Sequence, residues 1–114
     1  MKQQQLKVRK TNRKGGHYLR VWLEGEERLH HAGFFHSVRY DREISDGAIY
    51  LRVNPEGRYK VAGKQNKKTG QWRPIIDISA KDLPGFQAGD DLTATFYAGV
   101  MRIHIHKEDL QQAA

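Results

Sequence analysis

Apolar and polar residues alternate with a period of two along several short stretches of this chain, most clearly at Leu92, Ala94 and Phe96 and again at Met101, Ile103 and Ile105. That period lines one face of a strand, so both stretches are predicted to be strands with one buried side. Ala98-Gly99 between them supplies a turn and predicts a hairpin. Residues 38–44 and 48–53 around Ser45-Asp46-Gly47 predict another. Each is preceded by a more polar hairpin. Residues 6–11 and 17–23 flank 12–16, and residues 58–65 and 71–79 flank 66–70, where Asn and Gly tolerate the positive φ of a tight turn. A helical turn is expected inside each pair, over residues 26–32 before Gly33 and over 80–83 before Pro84-Gly85, with Ser79 as N-cap and Asp82 as capping-box acid.

The order ββ, short helix, ββ therefore occurs twice, and the residues repeat with it. Lys10-Thr11-Asn12-Arg13-Lys14-Gly15-Gly16 returns 54 positions later as Lys64-Gln65-Asn66-Lys67-Lys68-Thr69-Gly70. At that offset Tyr18 meets Trp72, Val21 meets Ile75 and Leu29 meets Leu83; beyond Leu29 an offset of 52 aligns Gly33-Phe34 with Gly85-Phe86 and Gly47 with Gly99. The repeats span about residues 6–54 and 58–106, joined at Asn54-Pro55-Glu56-Gly57. Neither is long enough to bury a core alone, so residues 1–114 are expected to form one domain in which the repeats share a core.

Charge changes the picture by its distribution. The 114 residues carry 20 Lys and Arg against 13 Asp and Glu, a net +7. Residues 1–20 hold seven basic groups (Lys2, Lys7, Arg9, Lys10, Arg13, Lys14, Arg20) and no acid, and residues 57–73 hold six (Arg58, Lys60, Lys64, Lys67, Lys68, Arg73), again with none. The excess is confined to the two polar hairpins, which points to a polyanionic partner. The absence of cysteine excludes disulfides, thiolate zinc sites and cysteine nucleophiles and fits a reducing compartment. No stretch approaches the ~18 apolar residues of a membrane span, so no membrane partner is expected and the chain is read as cytoplasmic.

The stretch from Pro74 to Leu92, with Ile75, Ile76, Ile78, Leu83-Pro84-Gly85-Phe86 and Gly89, followed by Gly99-Val100-Met101-Arg102-Ile103, resembles the swapped-hairpin family of AbrB and MazE, and within it the SymE group. The first copy departs at Arg20 against Pro74, Ser37 against Gly89, and His30-His31 in its helical turn. The resemblance implies a mainly β fold with two short helical turns, the tandem ββ-α-ββ repeats forming one pseudo-twofold swapped-hairpin (AbrB-like) barrel, monomeric or further dimerised. It also implies DNA contacts from arginines of the first hairpin and helical segment, a role that falls here on Arg9, Lys10, Arg28 and Lys64, with Arg13, Lys14, Lys67 and Lys68 at the tips.

A basic two-stranded ribbon suits the DNA major groove, its tip neutralising phosphates while its face reaches base edges. The candidate nucleic-acid-binding residues are Arg9, Lys10, Asn12, Arg13, Lys14, Arg20, Lys64, Asn66, Lys67, Lys68 and Arg73, with duplex DNA placed ahead of RNA. Asn12 and Asn66 suit adenine or, as turn residues, their own backbone; Tyr18 and Trp72 suit base stacking or hairpin cover. His104-x-His106 places two imidazoles on one strand face without a third ligand at metal spacing, so no metal and no cofactor is assigned. No P-loop, G-x-S-x-G or H-E-x-x-H occurs, and no catalytic residue is assigned. A regulatory or nucleoid-type DNA-binding role is expected. The alternatives are a SymE-type toxin acting on RNA as a ribonuclease, and an antitoxin or interaction module, against which the short segment after the last strand, residues 107–114, speaks.

Overall fold

The computed structural model describes residues 2–14 and 16–106. Ten strands and one helix follow in order: β1 (Lys2–Lys7), β2 (Arg9–Arg13), β3 (Gly16–Glu24), α1 (Glu26–His31), β4 (Arg39–Ser45), β5 (Ala48–Val53), β6 (Tyr59–Lys60), β7 (Ala62–Gln65), β8 (Trp72–Ala80), β9 (Asp91–Tyr97) and β10 (Val100–Ile105). The chain is mainly β. All pairings are antiparallel and build two sheets, one ordered β1-β9-β10-β5-β4-β6 and the other β2-β3-β8-β7.

Both orders read alike from either edge. β9-β10 answers β4-β5 across the β10·β5 pair, and the β2-β3 hairpin answers β7-β8 across the β3·β8 pair. The tight turns also answer one another: Gly47 N donates to Pro84 O while Gly99 N donates to Ala32 O, so each second hairpin tip is tied to the bend of the other half. Gly85 shows how close that approach is. A Cβ there would lie 2.3 Å from Asp46 Oδ1 and 2.4 Å from Gly47 N, so only glycine leaves room.

Sequence patterning located the hairpins, but several expectations need correcting. The two sheets do not close into a barrel. The strands predicted over 6–11 and 58–65 each break, at Val8 and Val61, and the chain passes from one sheet into the other there. Val8 N donates to Asp90 O and its carbonyl accepts from Gly89 N; Val61 N donates to Val38 O and its carbonyl accepts from Ser37 N. Both valines are almost fully buried, 2% and 1% exposed, so the corner is held by apolar burial. Second, no helix forms over 80–83: β8 stays paired with β3 as far as Leu19↔Ala80, which leaves Ser79 inside a strand, its Oγ buried and unbonded, rather than at an N-cap. α1 is the only helix among the described residues, and its Leu29 packs into the core.

The third correction concerns register. Val21 and Leu23 face inward on β3 and pair with Ile78 and Ile76 on β8, all essentially inaccessible. In the offset of 54, Val21 would match Ile75, which lies on the opposite face. Burial and pairing instead match β2 with β7 at 53 and β3 with β8 at 55, while the second hairpins keep 52, with Tyr40 answering Leu92 and Ile49 answering Met101. A one-residue slip reverses every side chain, so burial decides between the two alignments. Fourth, the first polar hairpin has a narrower tip than expected, since β2 runs to Arg13 and β3 begins at Gly16.

The buried residues form one cluster drawn from both halves, including Val21, Leu23, Leu29, Phe34, Ile49, Leu51, Ile76, Ile78, Leu83, Leu92, Phe96, Met101 and Ile103.

Candidate nucleic-acid interface

The four-stranded sheet carries the basic hairpins. Its inner face is set by Val21, Leu23, Pro74, Ile76 and Ile78, so alternation turns Tyr18, Arg20, Trp22 and Glu24 of β3 and Arg73, Ile75, Asp77 and Ser79 of β8 away from the core. Pairing adds Arg9 opposite Arg20 and Thr11 opposite Tyr18 at one edge, and Ala62 opposite Ile75 and Lys64 opposite Arg73 at the other. Arg9, Arg20, Lys64 and Arg73 thus share one face. Lys10, opposite Leu19, and Asn12, opposite His17, fall on the reverse side, where Lys10 borders a groove with Lys81 and Phe86.

The two tips point to opposite ends. Gly16 lies three residues beyond the Leu19↔Ala80 pair and Trp72 three beyond Glu24↔Ile75, so eleven residue steps, about 36 Å at ~3.3 Å per residue, separate the starts of β3 and β8. The loops extend further, within a longest molecular extent of 49 Å. Lys14, Lys67 and Lys68 are exposed at these ends; the side chain of Arg13 lies outside the described residues.

Several candidates already have protein partners. Arg20 is half-buried, donating from Nε to Asp77 Oδ1 at 2.9 Å and from Nη2 to Asp77 Oδ2 at 3.1 Å, with its guanidinium 4.3 Å from the Trp22 ring centre. Neutralised this way, it stands opposite Arg9 without the penalty of two like charges in one cross-strand pair. Asn66 Oδ1 accepts from the backbone N of Lys68 at 2.8 Å and of Thr69 at 3.3 Å, which fixes the tip loop and uses the atom that would accept from adenine. His17 Nδ1 donates to Asn12 Oδ1. Trp72 is 42% exposed on one side and stacked against His36 on the other, centroids 4.1 Å apart and planes 2° from parallel. It is thus both hairpin cover and an open ring face.

Trp22 and Asp77 were not singled out from the sequence. Alternation against Val21 and Leu23 was a sufficient signal for Trp22; Asp77 had none, because the 54-residue offset aligned it with buried Leu23. Arg28 is exposed on α1, outside the strands of this sheet. His104 faces outward from the six-stranded sheet beside Thr93 and Ala48, and burial pushes its imidazole pKa below the ordinary value. Among the described residues no group of three His, Cys, Asp or Glu side chains is placed to hold a metal ion, and no helix is long and apolar enough to cross a membrane. No protein family, curated protein or solved structure matches this chain.

Proposed function

We propose that this chain is a cytoplasmic duplex-DNA-binding protein of regulatory or nucleoid type, built as a tandem swapped-hairpin module whose two basic hairpins grip one side of a duplex. The observation that carries the reading is the placement of the two basic hairpins in one sheet with their strands starting about 36 Å apart. The major groove returns to the same side of B-DNA every ~34–36 Å, so two ribbons at that spacing meet successive openings of one groove. The palindromic strand order and the reciprocal Gly47–Pro84 and Gly99–Ala32 bonds support the tandem reading. Arg9, Arg73 and Lys64 supply exposed charge on the shared face, Lys14, Lys67 and Lys68 at its ends, and Arg20 a scaffold held by Asp77.

Gel shifts with duplex DNA and duplex RNA of matched length, at two salt concentrations, test it. DNA should bind more tightly, with intact nucleic acid recovered. Loss of RNA that survives EDTA and depends on a histidine would replace this reading with a ribonuclease, and tight capture of a partner protein with no duplex binding would replace it with an interaction module.

A further inference from the structure

The two halves of the four-stranded sheet share a plan but not a chemistry. Trp22 and Asp77 face each other at the centre of its outer face. One row toward the first tip stand Arg9, Arg20 and Ser79; the answering row toward the second tip holds Ala62, Ile75 and Glu24. One row further out, Thr11 and Tyr18 are answered by Lys64 and Arg73. Basic groups thus lie close to the centre on one side and far from it on the other. The Arg9 and Lys64 rows are three row steps apart, about 20 Å at ~3.4 Å per residue.

The tips differ as well. Two residues separate β2 from β3, whereas 66–71 separate β7 from β8, in a loop braced by Asn66 Oδ1, by Gly70 N donating to Asn66 O, and by Gln65 Nε2 donating to Gly70 O. A two-residue tip keeps the ribbon slim enough to enter a major groove ~12 Å wide. The broader loop presents Lys67 and Lys68 outward. Arginine's planar fork matches guanine O6 and N7, while a lysine ammonium acts as a point charge suited to phosphate. With the Arg20 fork held by Asp77, Arg9 carries the exposed guanidinium of the first half of this sheet among the described side chains.

We propose that the chain binds duplex DNA in a single orientation on a site without twofold symmetry, the first hairpin reading bases through Arg9 and the second anchoring phosphates through Lys64, Lys67 and Lys68. This rests on the DNA-binding reading above and adds to it a polarity that a paired clamp would lack.

The chain contains no cysteine, so Lys14→Cys and Lys67→Cys variants each carry one thiol to which an iron-EDTA cleavage reagent can be attached. The probe is the duplex recovered by binding selection from a library randomised over about 20 bp, longer than the ~14 bp that 49 Å spans at ~3.4 Å per base pair. At saturating protein, the Lys14→Cys conjugate should cut one flank only and the Lys67→Cys conjugate the opposite flank. Equal cutting of both flanks by either conjugate, or selection of a palindrome, overturns the single orientation while leaving DNA binding intact. A library from which no duplex is enriched overturns the DNA-binding reading itself. In parallel, Arg9→Ala should reduce the affinity ratio between selected and scrambled duplex about tenfold or more, whereas Lys64→Ala should weaken both equally. The reverse pattern would contradict the assignment of roles.

Discussion

Ser37 holds φ at 73°, in the left-handed region, at the place where the other half of the molecule has Gly89 with φ 92°. The backbone demands this conformation, because Ser37 N must reach Val61 O as Gly89 N reaches Val8 O. A left-handed L-residue costs ~1–2 kcal/mol, partly offset by the greater unfolded-state freedom of glycine, ~0.5–1 kcal/mol. Ser37→Gly should therefore raise stability by up to about 1 kcal/mol, visible as a higher urea midpoint with unchanged slope; a lower midpoint would mean that the hydroxyl matters more than the backbone. His104 yields a prediction of opposite character. Its Nδ1 is buried without a partner, and burial, reinforced by Arg102 and His106, lowers its pKa. Above the ordinary value of 6.5 the ring is neutral in folded and unfolded chains alike and adds no pH dependence. Below it the unfolded chain takes up the proton first, so stability falls with pH until the folded pKa is passed, after which the loss is constant. His104→Gln should flatten the fall of Tm between pH 6.5 and 5, and an unaltered fall would place the titrating group elsewhere.

Among the elements, the hairpins and the helix at α1 were legible because period-two alternation and Asp46-Gly47, Ala98-Gly99 and Gly33 are local signals. The passage of the chain between sheets at Val8 and Val61 was not, since an uninterrupted alternating stretch looks the same whether its partners lie in one sheet or two. The one-residue shift in the first hairpin was hidden for a related reason: the shared K-x-N motif aligns the tips, whereas burial aligns the strands. The basic hairpins were legible as charge, but Arg20 was not legible as a structural group, because Asp77 is distant in sequence and meets it only through β3·β8 pairing. The hairpin tips can be tested as elements. Replacing Lys14, Lys67 and Lys68 with Ala should remove most duplex affinity and shift Tm little, exposed substitutions costing within about 0.5 kcal/mol each. Replacing the exposed Arg52, Arg58 and Lys60 removes the same charge away from the tips and should cost far less affinity. Equal losses would make net charge, not placement, the determinant.

For the molecule as a whole, the two halves are joined through their centre rather than at an edge. The β10·β5 and β3·β8 pairs cross between halves, and the core cluster draws on both, so the distance between the tips is set by a strand register and not by a linker. On the proposed DNA-binding reading, fixed spacing lets two short ribbons act on one duplex without an ordering cost at binding. Two such ribbons reach about four to six phosphates, and each contact releases counterion with a slope near 0.9. The most direct test of the account is the salt dependence of duplex binding by the intact chain and by each tip variant. Log K against log salt should have a slope of roughly −4 to −5, and its magnitude should fall by about two in Lys67→Ala/Lys68→Ala and again by about two in Arg13→Ala/Lys14→Ala. A slope that either double variant leaves unchanged would show that the corresponding hairpin does not touch the duplex and would contradict the two-hairpin grip.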